Sequence, residues 1–469
     1  MKKQDNSSTI DLCRQIALKV KEAGGTVYYV GGFVRDKLLG IESKDIDIEI
    51  HGIDLNKIQE ILSQFGEIDL VGASFGIFMI KGKDLDISVP RIEKSMGKGH
   101  KDFQVSVDPF LGTEKAAKRR DFTVNALMED VLTGQIVDHY GGREDLEKKI
   151  LRCVDEESFA EDPLRVLRGA RFAAKLNFLI DEKTIDLCRT INLSELSKER
   201  VYGELTAALT KTSKPSMFFK YLREMDQLGY WFKEIENLIG VVQPPEHHSE
   251  GDVWNHTMLV IDEAAKLKRG WRSRFTDRIL EVENFQYFMM SALCHDFGKV
   301  STTEEINGKI HALGHEDAGV DIAAKFINRL TLERDLKKYV KNMILLHMKP
   351  NMYGASNSKI KSTNRLFFDS VDPAGLVLIA RADFFGRGGA GDYSKTEEYL
   401  VQRLNRYEEM MKRPYVSGQD LIASGLVPGE NFAAILKYAE KLRIAEINKE
   451  SALKQILAYS RKLDCSTKK

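Results

Sequence analysis

The alternation of apolar and polar positions divides the chain into a mixed part and a helical part. Between about 26 and 140, short apolar runs such as VYYV end at glycines, and KDIDIEI alternates charged and apolar residues with the period of two that is typical of a half-buried strand. From about 143 onward, apolar residues recur every three or four positions, which is the spacing of amphipathic helices. The pattern predicts an α+β protein in which a small α/β head is followed by all-helical regions.

Further changes in the pattern indicate where these regions begin and end. FGIFMIKG and LDISVP predict two more strands, separated by Gly82 and Lys83, and QIVDHYGG predicts another. The prolines and histidines between 241 and 252 predict a linker. We expect four regions: a head over 1–145, a neck over 146–240, a third block over 241–392 and a helical tail over 393–469.

The composition is typical of a globular cytoplasmic protein. Hydrophobic residues make up 43% of the chain, yet no apolar run approaches the roughly 20 residues that cross a membrane, and the N-terminus lacks the apolar core of a signal peptide. The five cysteines include no CxxC pair, which favours reduced thiols over a zinc knuckle. The 70 basic residues balance 70 acidic ones, so net charge indicates no partner; an RNA enzyme needs only a local positive surface.

A glycine pair in the head is the first candidate for chemistry. Gly31 and Gly32 follow the strand YYV and precede the helix-like VRDKLL. Glycines at this position let backbone N–H groups approach a triphosphate, and the N-terminus of a helix favours negative charge. Arg35 lies one turn into the helix, where its guanidinium could reach the same phosphates.

A pair of carboxylates follows the glycine loop. Asp45 and Asp47 flank Ile46, and a strand with a period of two places both on one face. Two such carboxylates can hold two Mg²⁺ ions about 3.5–4 Å apart, the arrangement that promotes in-line displacement at phosphorus. An isolated DxD is usually the polar face of an ordinary strand. After a glycine loop at this distance, the catalytic interpretation is favoured.

These residues resemble the polymerase-β-like nucleotidyltransferases of the CCA-adding and poly(A) polymerase class. GGFVRDKLLG followed by KDID is similar to the signature of that class, and PRIEKSMGKGHKDF is similar to its loop after the third strand. RRDFTVNAL resembles its next motif, which implies a nucleotide contact for Arg120 and a supporting role for Asp121. A third carboxylate is common in this superfamily, and Asp86 is the candidate here.

EDPLRVLRGARF resembles the motif with which class II enzymes read the nucleotide base. Asp162 before Pro163 could simply cap a helix, but capping does not explain Arg165, Arg168 and Arg171 at a spacing of three. We expect Asp162 and Arg165 to lie close enough to meet one base edge. Arg171, half a turn away, should meet a phosphate or a neighbouring helix.

The base chemistry of an Asp–Arg pair explains selection without a nucleic-acid template. A carboxylate accepts from an exocyclic amine, and a guanidinium donates to a ring nitrogen or a carbonyl oxygen. C and A carry such an amine where U and G do not, so the pair would accept CTP and ATP. ERVYGEL resembles the last motif of this part, which implies structural support from Arg200 and Glu204.

Six histidine and aspartate residues in the third block suggest a second site. A lone histidine on an apolar helix is usually a core residue, but here six residues follow the order H…HD…H…H…D, each on a helical pattern. Imidazole and carboxylate together suit divalent transition metals. The six are His256, His295, Asp296, His315, His347 and Asp383.

This order resembles the HD phosphohydrolase superfamily. The resemblance implies that His256, His295, Asp296 and Asp383 are the core metal ligands and that His315 and His347 serve a second metal. It also implies phosphatase or 2′,3′-cyclic phosphodiesterase activity on RNA ends, with Ni²⁺ or Mn²⁺ as the metal.

The leading functional hypothesis is transfer of CMP and AMP to the 3′ end of tRNA. A poly(A) polymerase acting on other RNA 3′ ends, or an enzyme adding only CC or only A, shares nearly all the motifs. A nucleotide-signalling synthetase/hydrolase is disfavoured because its HD domain precedes the transferase. An RNA-binding protein with an inactive head is disfavoured by Asp45 and Asp47. The oligomeric state is left open.

Overall fold

The computed structural model describes residues 6–43, 45–69, 76–95, 103–246, 248–388, 391–412 and 415–466. The chain forms two compact units. The first comprises Met1–Ala208 with Met217–Trp231, and the second Leu209–Ser216 with Phe232–Lys469. No helix within the described residues is long and apolar enough to cross a membrane.

The first unit is built around a mixed sheet. Its strands are β1 Thr26–Val30, β2 Asp47–His51, β3 Ile68–Asp69, β4 Ile77–Ile80, β5 Asp86–Ser88, β6 Arg91–Ser95, β7 Phe103–Val107, β8 Met128–Asp130 and β9 Ile136–Val137. Seven of them form one sheet in the order β3-β4-β5-β2-β1-β8-β9, while β6 and β7 pair separately. The β2–β5 pair is parallel, so the first residues of these two strands lie side by side.

Short helices accompany this sheet and continue into the neck. They are α1 Asn6–Glu22, α2 Gly32–Leu38, α3 Leu55–Ser63, α4 Thr113–Lys118, α5 Gly142–Lys148, α6 Glu156–Ala160, α7 Leu164–Leu176, α8 Glu182–Thr190, α9 Lys198–Lys211 and α10 Ser216–Glu224. A 3₁₀ turn spans Thr123–Asn125, and β10 Ile150–Leu151 pairs with β11 Leu179–Ile180.

The second unit is predominantly helical. Its helices are α11 Lys233–Glu236, α12 Val253–Ala265, α13 Phe285–Cys294, α14 Lys299–Thr302, α15 His315–Leu330, α16 Arg334–Leu346, α17 Met348–Ser356, α18 Ile360–Asp369, α19 Pro373–Phe385, α20 Ser394–Lys412, α21 Gly418–Ala423, α22 Phe432–Ile444 and α23 Lys449–Ser466. A 3₁₀ turn, Lys266–Arg269, follows α12. Helix α12 packs against α13 and α19, and α16 packs against α13 and α15. This bundle brings together helix ends that are far apart in sequence.

The α+β prediction is confirmed, with a sheet in the head and helices beyond it. The later part is nevertheless not wholly helical. Besides β10–β11, it contains the pairs β12 Trp271–Arg272 with β13 Ile279–Leu280 and β14 Thr303–Ile306 with β15 Lys309–Ala312. The β14–β15 hairpin turns at Asn307 and Gly308, both with positive φ, as a two-residue turn of this type requires. Its strands are too polar and too exposed to show a strand pattern in the sequence.

Candidate functional site

The glycine turn of the head lies beneath two guanidinium groups. Strand β1 ends at Val30, and Gly31 adopts φ +65° before α2 begins at Gly32. A Cβ at Gly31 would lie 3.4 Å from Nη1 of Arg120, and one at Gly32 would lie 3.5 Å from Nη2 of Arg35. Both distances are ordinary van der Waals contacts, so the two guanidinium groups pack directly over the turn, and glycine is favoured at position 31 by its positive φ.

Arg35, which the sequence predicted could reach the phosphates, is buried. Its Nε and Nη2 donate to Oδ1 of Asp36 at 2.8 and 2.6 Å, and its Nη1 donates to Oδ1 of Asn125 at 2.6 Å. The reason is that α2 packs against the 3₁₀ turn Thr123–Asn125, which encloses this face of the helix. Arg35 therefore supports the glycine turn from within the protein, while one face of it lines the cavity described below.

Three carboxylates lie close together at the start of β2. The strand begins at Asp47, which is half-buried, so Asp45 lies just before it and is exposed. Asp86 is the register partner of Asp47 on the parallel strand β5. Burial raises the pKa of Asp47, the negative charges of Asp86 and Asp45 raise it further, and Arg120 opposes them. A hard divalent cation would relieve this repulsion, so the donor set fits Mg²⁺.

Glu49 is a functional neighbour that the sequence analysis missed. It follows Asp47 by two positions and therefore shares its face of β2. Nη2 of Arg120 lies 3.4 Å from Oε2 of Glu49, and Nε2 of His51 lies 2.9 Å from its Oε1. Burial alone would raise the pKa of Glu49, but His51 and Arg120 lower it to about 2. The alternation in DIDIEIH indicated this residue, because it places Glu49 on the same face of the strand as Asp47.

A cavity of about 400 Å³ connects the glycine turn, Asp47 and the neck residues. The lining includes Gly31, Gly32, Asp47, Asp121 and Asp162. It also includes seven arginines: Arg35, Arg91, Arg119, Arg120, Arg165, Arg168 and Arg200. A chain with no net charge thus concentrates positive charge where a triphosphate would need it.

Asp162 and Arg165, which the sequence places close together, are not hydrogen-bonded to each other. Asp162 instead pairs with Nη2 of Arg200, at 2.8 and 3.0 Å from its two oxygens, and accepts from the backbone N–H of Leu164. Arg165 donates to the carbonyl oxygens of Ser158 and Arg119 at 2.6 and 2.7 Å. Helix α7 begins at Leu164, so Asp162 precedes its first turn and the helical spacing does not apply to it. Both side chains still line the same cavity.

The other two arginines of this motif are held by carboxylates. Arg168 donates from Nε and Nη2 to Oδ2 of Asp121, at 2.8 and 2.6 Å. Burial would raise the pKa of Asp121, but Arg168 and a hydrogen bond from Asn125 lower it. Arg171 donates to Glu204 on α9 and its guanidinium lies 4.2 Å from the ring centre of Phe172. Arg171 therefore meets a neighbouring helix and does not line the cavity.

The histidines of the second unit are oriented alike. His295, His315 and His347 each place Nδ1 close to the backbone carbonyl oxygen three positions earlier, at 2.8, 2.8 and 2.6 Å. A carbonyl can only accept, so Nδ1 carries the proton and the lone pair of Nε2 remains for a metal.

The Nε2 atoms converge on Asp296. Those of His256 and His295 are 3.4 Å apart and lie 3.6 and 3.2 Å from Oδ2 of Asp296. Those of His315 and His347 are 3.3 Å apart and lie 3.4 and 3.8 Å from its Oδ1. Each oxygen of Asp296 thus faces one pair of imidazoles, an arrangement suited to two cations.

The electrostatics of Asp296 fit a metal centre. Neither of its buried oxygens receives a hydrogen bond of good geometry, although Nζ of Lys299 lies 2.7 Å from Oδ2. Burial alone would raise the pKa of Asp296, but His295 and Lys299 hold it well below its usual value. A buried carboxylate without good partners is costly, and a bound cation would remove that cost.

Asp383 completes the first of these two ligand groups. Its Oδ1 lies 3.1 Å from Nε2 of His256, while Oδ2 accepts from Arg387 at 2.9 Å. The predicted linker over 241–252 also belongs here, because its Gln243 and Glu250 side chains are buried against this cluster. That this segment links two domains stays a prediction, since a connecting segment can also pack against the helices it joins. Glu250 was missed because it lies in a segment rich in turn-forming residues.

Comparison with known proteins identifies a domain in each part of the chain. Residues 27–152 match the Poly A polymerase head domain, and residues 253–387 match the HD domain. The multifunctional CCA protein of Actinobacillus pleuropneumoniae serotype 5b (strain L20) is 37% identical over 320 residues, which cover 67% of this chain and 73% of that protein. The chain belongs to the multifunctional CCA protein family. The resemblance inferred from the motifs is thus confirmed, and the chain is a nucleotidyltransferase.

Solved structures share this fold. A Thermotoga maritima CCA-adding enzyme complexed with tRNA superimposes with a TM-score of 0.63 at 20% identity, covering 97% of both chains. A CCA-adding enzyme in complex with ATP gives a TM-score of 0.64 at 19% identity, covering 97% of this chain and 94% of that one. Nucleotidyltransferase and HD domains generally use divalent metals.

Proposed function

We propose that the chain adds CMP and AMP, from CTP and ATP, to the 3′ end of tRNA without a nucleic-acid template. The observation that carries this proposal is the single cavity in which the glycine turn, Asp47 and Asp162 meet seven arginines. Membership of the multifunctional CCA protein family supports it, as does the fold shared with CCA-adding enzymes bound to tRNA, ATP and CTP.

Asp45 and Asp47, with Asp86 beside them, would hold Mg²⁺ in the head. When bound, Mg²⁺ supplies the positive charge that stabilises an in-line displacement at the α-phosphorus. The backbone N–H groups at Gly31 and Gly32 would bind the triphosphate, and Arg120 would donate to it. Glu49 keeps Arg120 in place over the glycine turn.

Asp162 and Arg165 would select the base. Asp162 has carboxylate oxygens that can accept from the exocyclic amine of C or A, and Arg200 fixes their direction. Arg165 is anchored by two backbone carbonyls, and its remaining N–H groups can donate to a ring nitrogen or to the carbonyl oxygen of the base. Arg168 retains N–H groups beyond those bound by Asp121 that can meet a phosphate.

The test is incorporation of each nucleoside triphosphate separately on a tRNA that lacks CCA. The wild type should use CTP and ATP and reject UTP and GTP. Asp162→Ala should weaken this discrimination more than it raises the KM for CTP. Arg120→Ala, the matched control in the same cavity, should raise the KM and leave discrimination intact. Efficient use of UTP or GTP by the wild type would contradict the proposal.

We also propose that the second unit is a metal-dependent phosphohydrolase for RNA ends, acting as a phosphatase or on 2′,3′-cyclic phosphates. His256, His295, Asp296 and Asp383 would hold Ni²⁺ or Mn²⁺. Together with Asp296, His315 and His347 would hold a second ion. A bound metal lowers the pKa of its water and supplies hydroxide for attack on phosphorus. Lys299, close to Asp296, would donate to the phosphate.

This second activity has its own test. Asp296→Ala should eliminate metal-stimulated hydrolysis of 2′,3′-cyclic nucleotides and of phosphorylated RNA ends, because Asp296 faces both ligand groups. Nucleotide addition should remain largely intact. Loss of both activities in a folded variant would mean that the second unit supports the transferase and has no hydrolase activity of its own.

We propose a cytoplasmic location. Cys13, Cys153, Cys188 and Cys294 are free thiols, and all but Cys153 are buried. Cell fractionation would test this location, and recovery in the membrane fraction would contradict it.

A further inference from the structure

We propose that Glu250 is a positioning residue that holds His256 in the tautomer and orientation needed for metal binding. The proposal rests on the proposed metal centre of the second unit. It assigns a role to the 241–252 segment, whose composition had predicted only a linker.

The contact itself is short and buried. Oε1 of Glu250 lies 2.8 Å from Nδ1 of His256, and the two side chains are 3% and 0% exposed. Nε2 of His256 faces His295, Asp296 and Asp383. Because Nε2 must offer its lone pair to a metal, Nδ1 carries the proton and donates to Glu250.

His256 needs this partner more than the other histidines do. His295 and His347 lie at helix C-termini and His315 at a helix N-terminus, and all three use a nearby backbone carbonyl. His256 lies inside α12, where the backbone carbonyls already accept helical hydrogen bonds. A side-chain acceptor from another segment is therefore required, and a carboxylate also makes the imidazole a stronger ligand.

The segment that carries Glu250 is fixed to the rest of the centre. Asn255 donates from Nδ2 to the carbonyl oxygen of Glu250 at 3.1 Å. Ser249 donates to the carbonyl oxygen of Arg387 at 3.3 Å, and Arg387 binds Asp383.

Gln243 provides another attachment. It accepts from Nζ of Lys299 at 2.8 Å, and this amine also lies beside Asp296. The attachments made by Gln243, Ser249 and Glu250 thus end at a metal-ligand candidate or at a residue that touches one. This pattern indicates support of the ligands.

The test compares the metal affinities of Glu250→Ala and Glu250→Gln with that of a matched control, Glu246→Gln. Glu246 lies in the same segment but is exposed. Affinity for Ni²⁺ and Mn²⁺ would be measured by competition with a chromophoric chelator, and ligand geometry by the visible spectrum of the Co²⁺ form.

Glu250→Ala should lower metal affinity by about 10- to 100-fold and alter the Co²⁺ spectrum. Glu250→Gln retains an acceptor oxygen and should lose less. Glu246→Gln should match the wild type, and nucleotide addition should be unchanged in all three variants.

Wild-type affinity in Glu250→Ala would overturn the proposal while leaving the metal centre standing. An equal loss of metal affinity in Glu246→Gln would also overturn the proposal. The effect would then come from removing a negative charge from the segment and not from the contact with His256. The proposal would also be overturned if Glu250→Ala bound one metal ion fewer while the remaining ions kept their affinity. Glu250 would then be a direct metal ligand together with His248 and His256. A wild-type protein that binds none of the three metals would overturn both this role and the proposed hydrolase.

Discussion

At the scale of single residues, two aspartates near the start of β5 allow a test of the carboxylate cluster. Asp86 is the register partner of Asp47, whereas Asp84 precedes the strand, and both are exposed. Asp86→Asn should lower nucleotide addition by about 100-fold or more, the order of effect of losing one electrostatic group at a reacting centre. Asp84→Asn should retain wild-type activity. Similar rates of nucleotide addition for the two variants would show that Asp86 is not part of the catalytic site.

The sequence predicted many of the site residues but not the partners that hold them. The motifs identified Asp47, Asp162, Arg120, Arg165 and Arg168, which line one cavity in the structure. They did not identify Arg200 as the partner of Asp162, because that pairing joins positions 38 residues apart. Glu250 was missed for a related reason: its role depends on burial against α12, which its own segment does not encode.

At the scale of elements, the close packing of α14 against α15 positions two metal-ligand groups. A Cβ at Gly298 would lie 1.9 Å from the carbonyl oxygen of His315 and 2.7 Å from the backbone nitrogen of Gly319. The backbone of Gly298 has φ −67°, which any residue can adopt. Glycine is therefore required here by the close approach of the two helices and not by the backbone conformation.

Gly298→Ala should accordingly separate α14 from α15. We expect the free energy of unfolding to fall by about 1–3 kcal/mol or more, as for other overpacked sites, and metal affinity to fall with it because Asp296 and His315 move apart. Chemical unfolding and metal titration measure the two effects. Gly429→Ala is the control, since no atom lies within 4 Å of a Cβ at that position. If both variants changed stability and metal affinity equally little, the packing of α14 against α15 would not determine the positions of the metal ligands.

Helical elements were easier to predict than short strands. The six residues of the second site lie on or beside helices that are long enough to show in the sequence, and their order indicated a common site. They are His256, His295, Asp296, His315, His347 and Asp383. The β14–β15 hairpin has no apolar face, and its sequence signal was confined to Asn307 and Gly308. The strand predicted over KDIDIEI begins only at Asp47, because pairing with β5 starts there.

At the scale of the whole molecule, the net charge does not indicate where charged residues are concentrated. The chain has no net charge, yet seven arginines line the cavity of the first unit and a carboxylate–imidazole cluster lies in the second. Each donor set matches a different class of cation: hard oxygens for Mg²⁺, and imidazoles with carboxylates for transition metals. We therefore propose that the chain carries two chemically distinct centres.

The first centre should build a complete CCA end on a tRNA that lacks one. The most direct measurement supplies tRNAs lacking CCA, CA or A with each nucleotide and with CTP and ATP together, and reads the products at single-nucleotide resolution. We expect two C residues with CTP alone on the shortest tRNA, one A on the tRNA that ends in CC, and no further addition. A long A tail, a stop after CC in the presence of ATP, or addition of A alone would contradict the account.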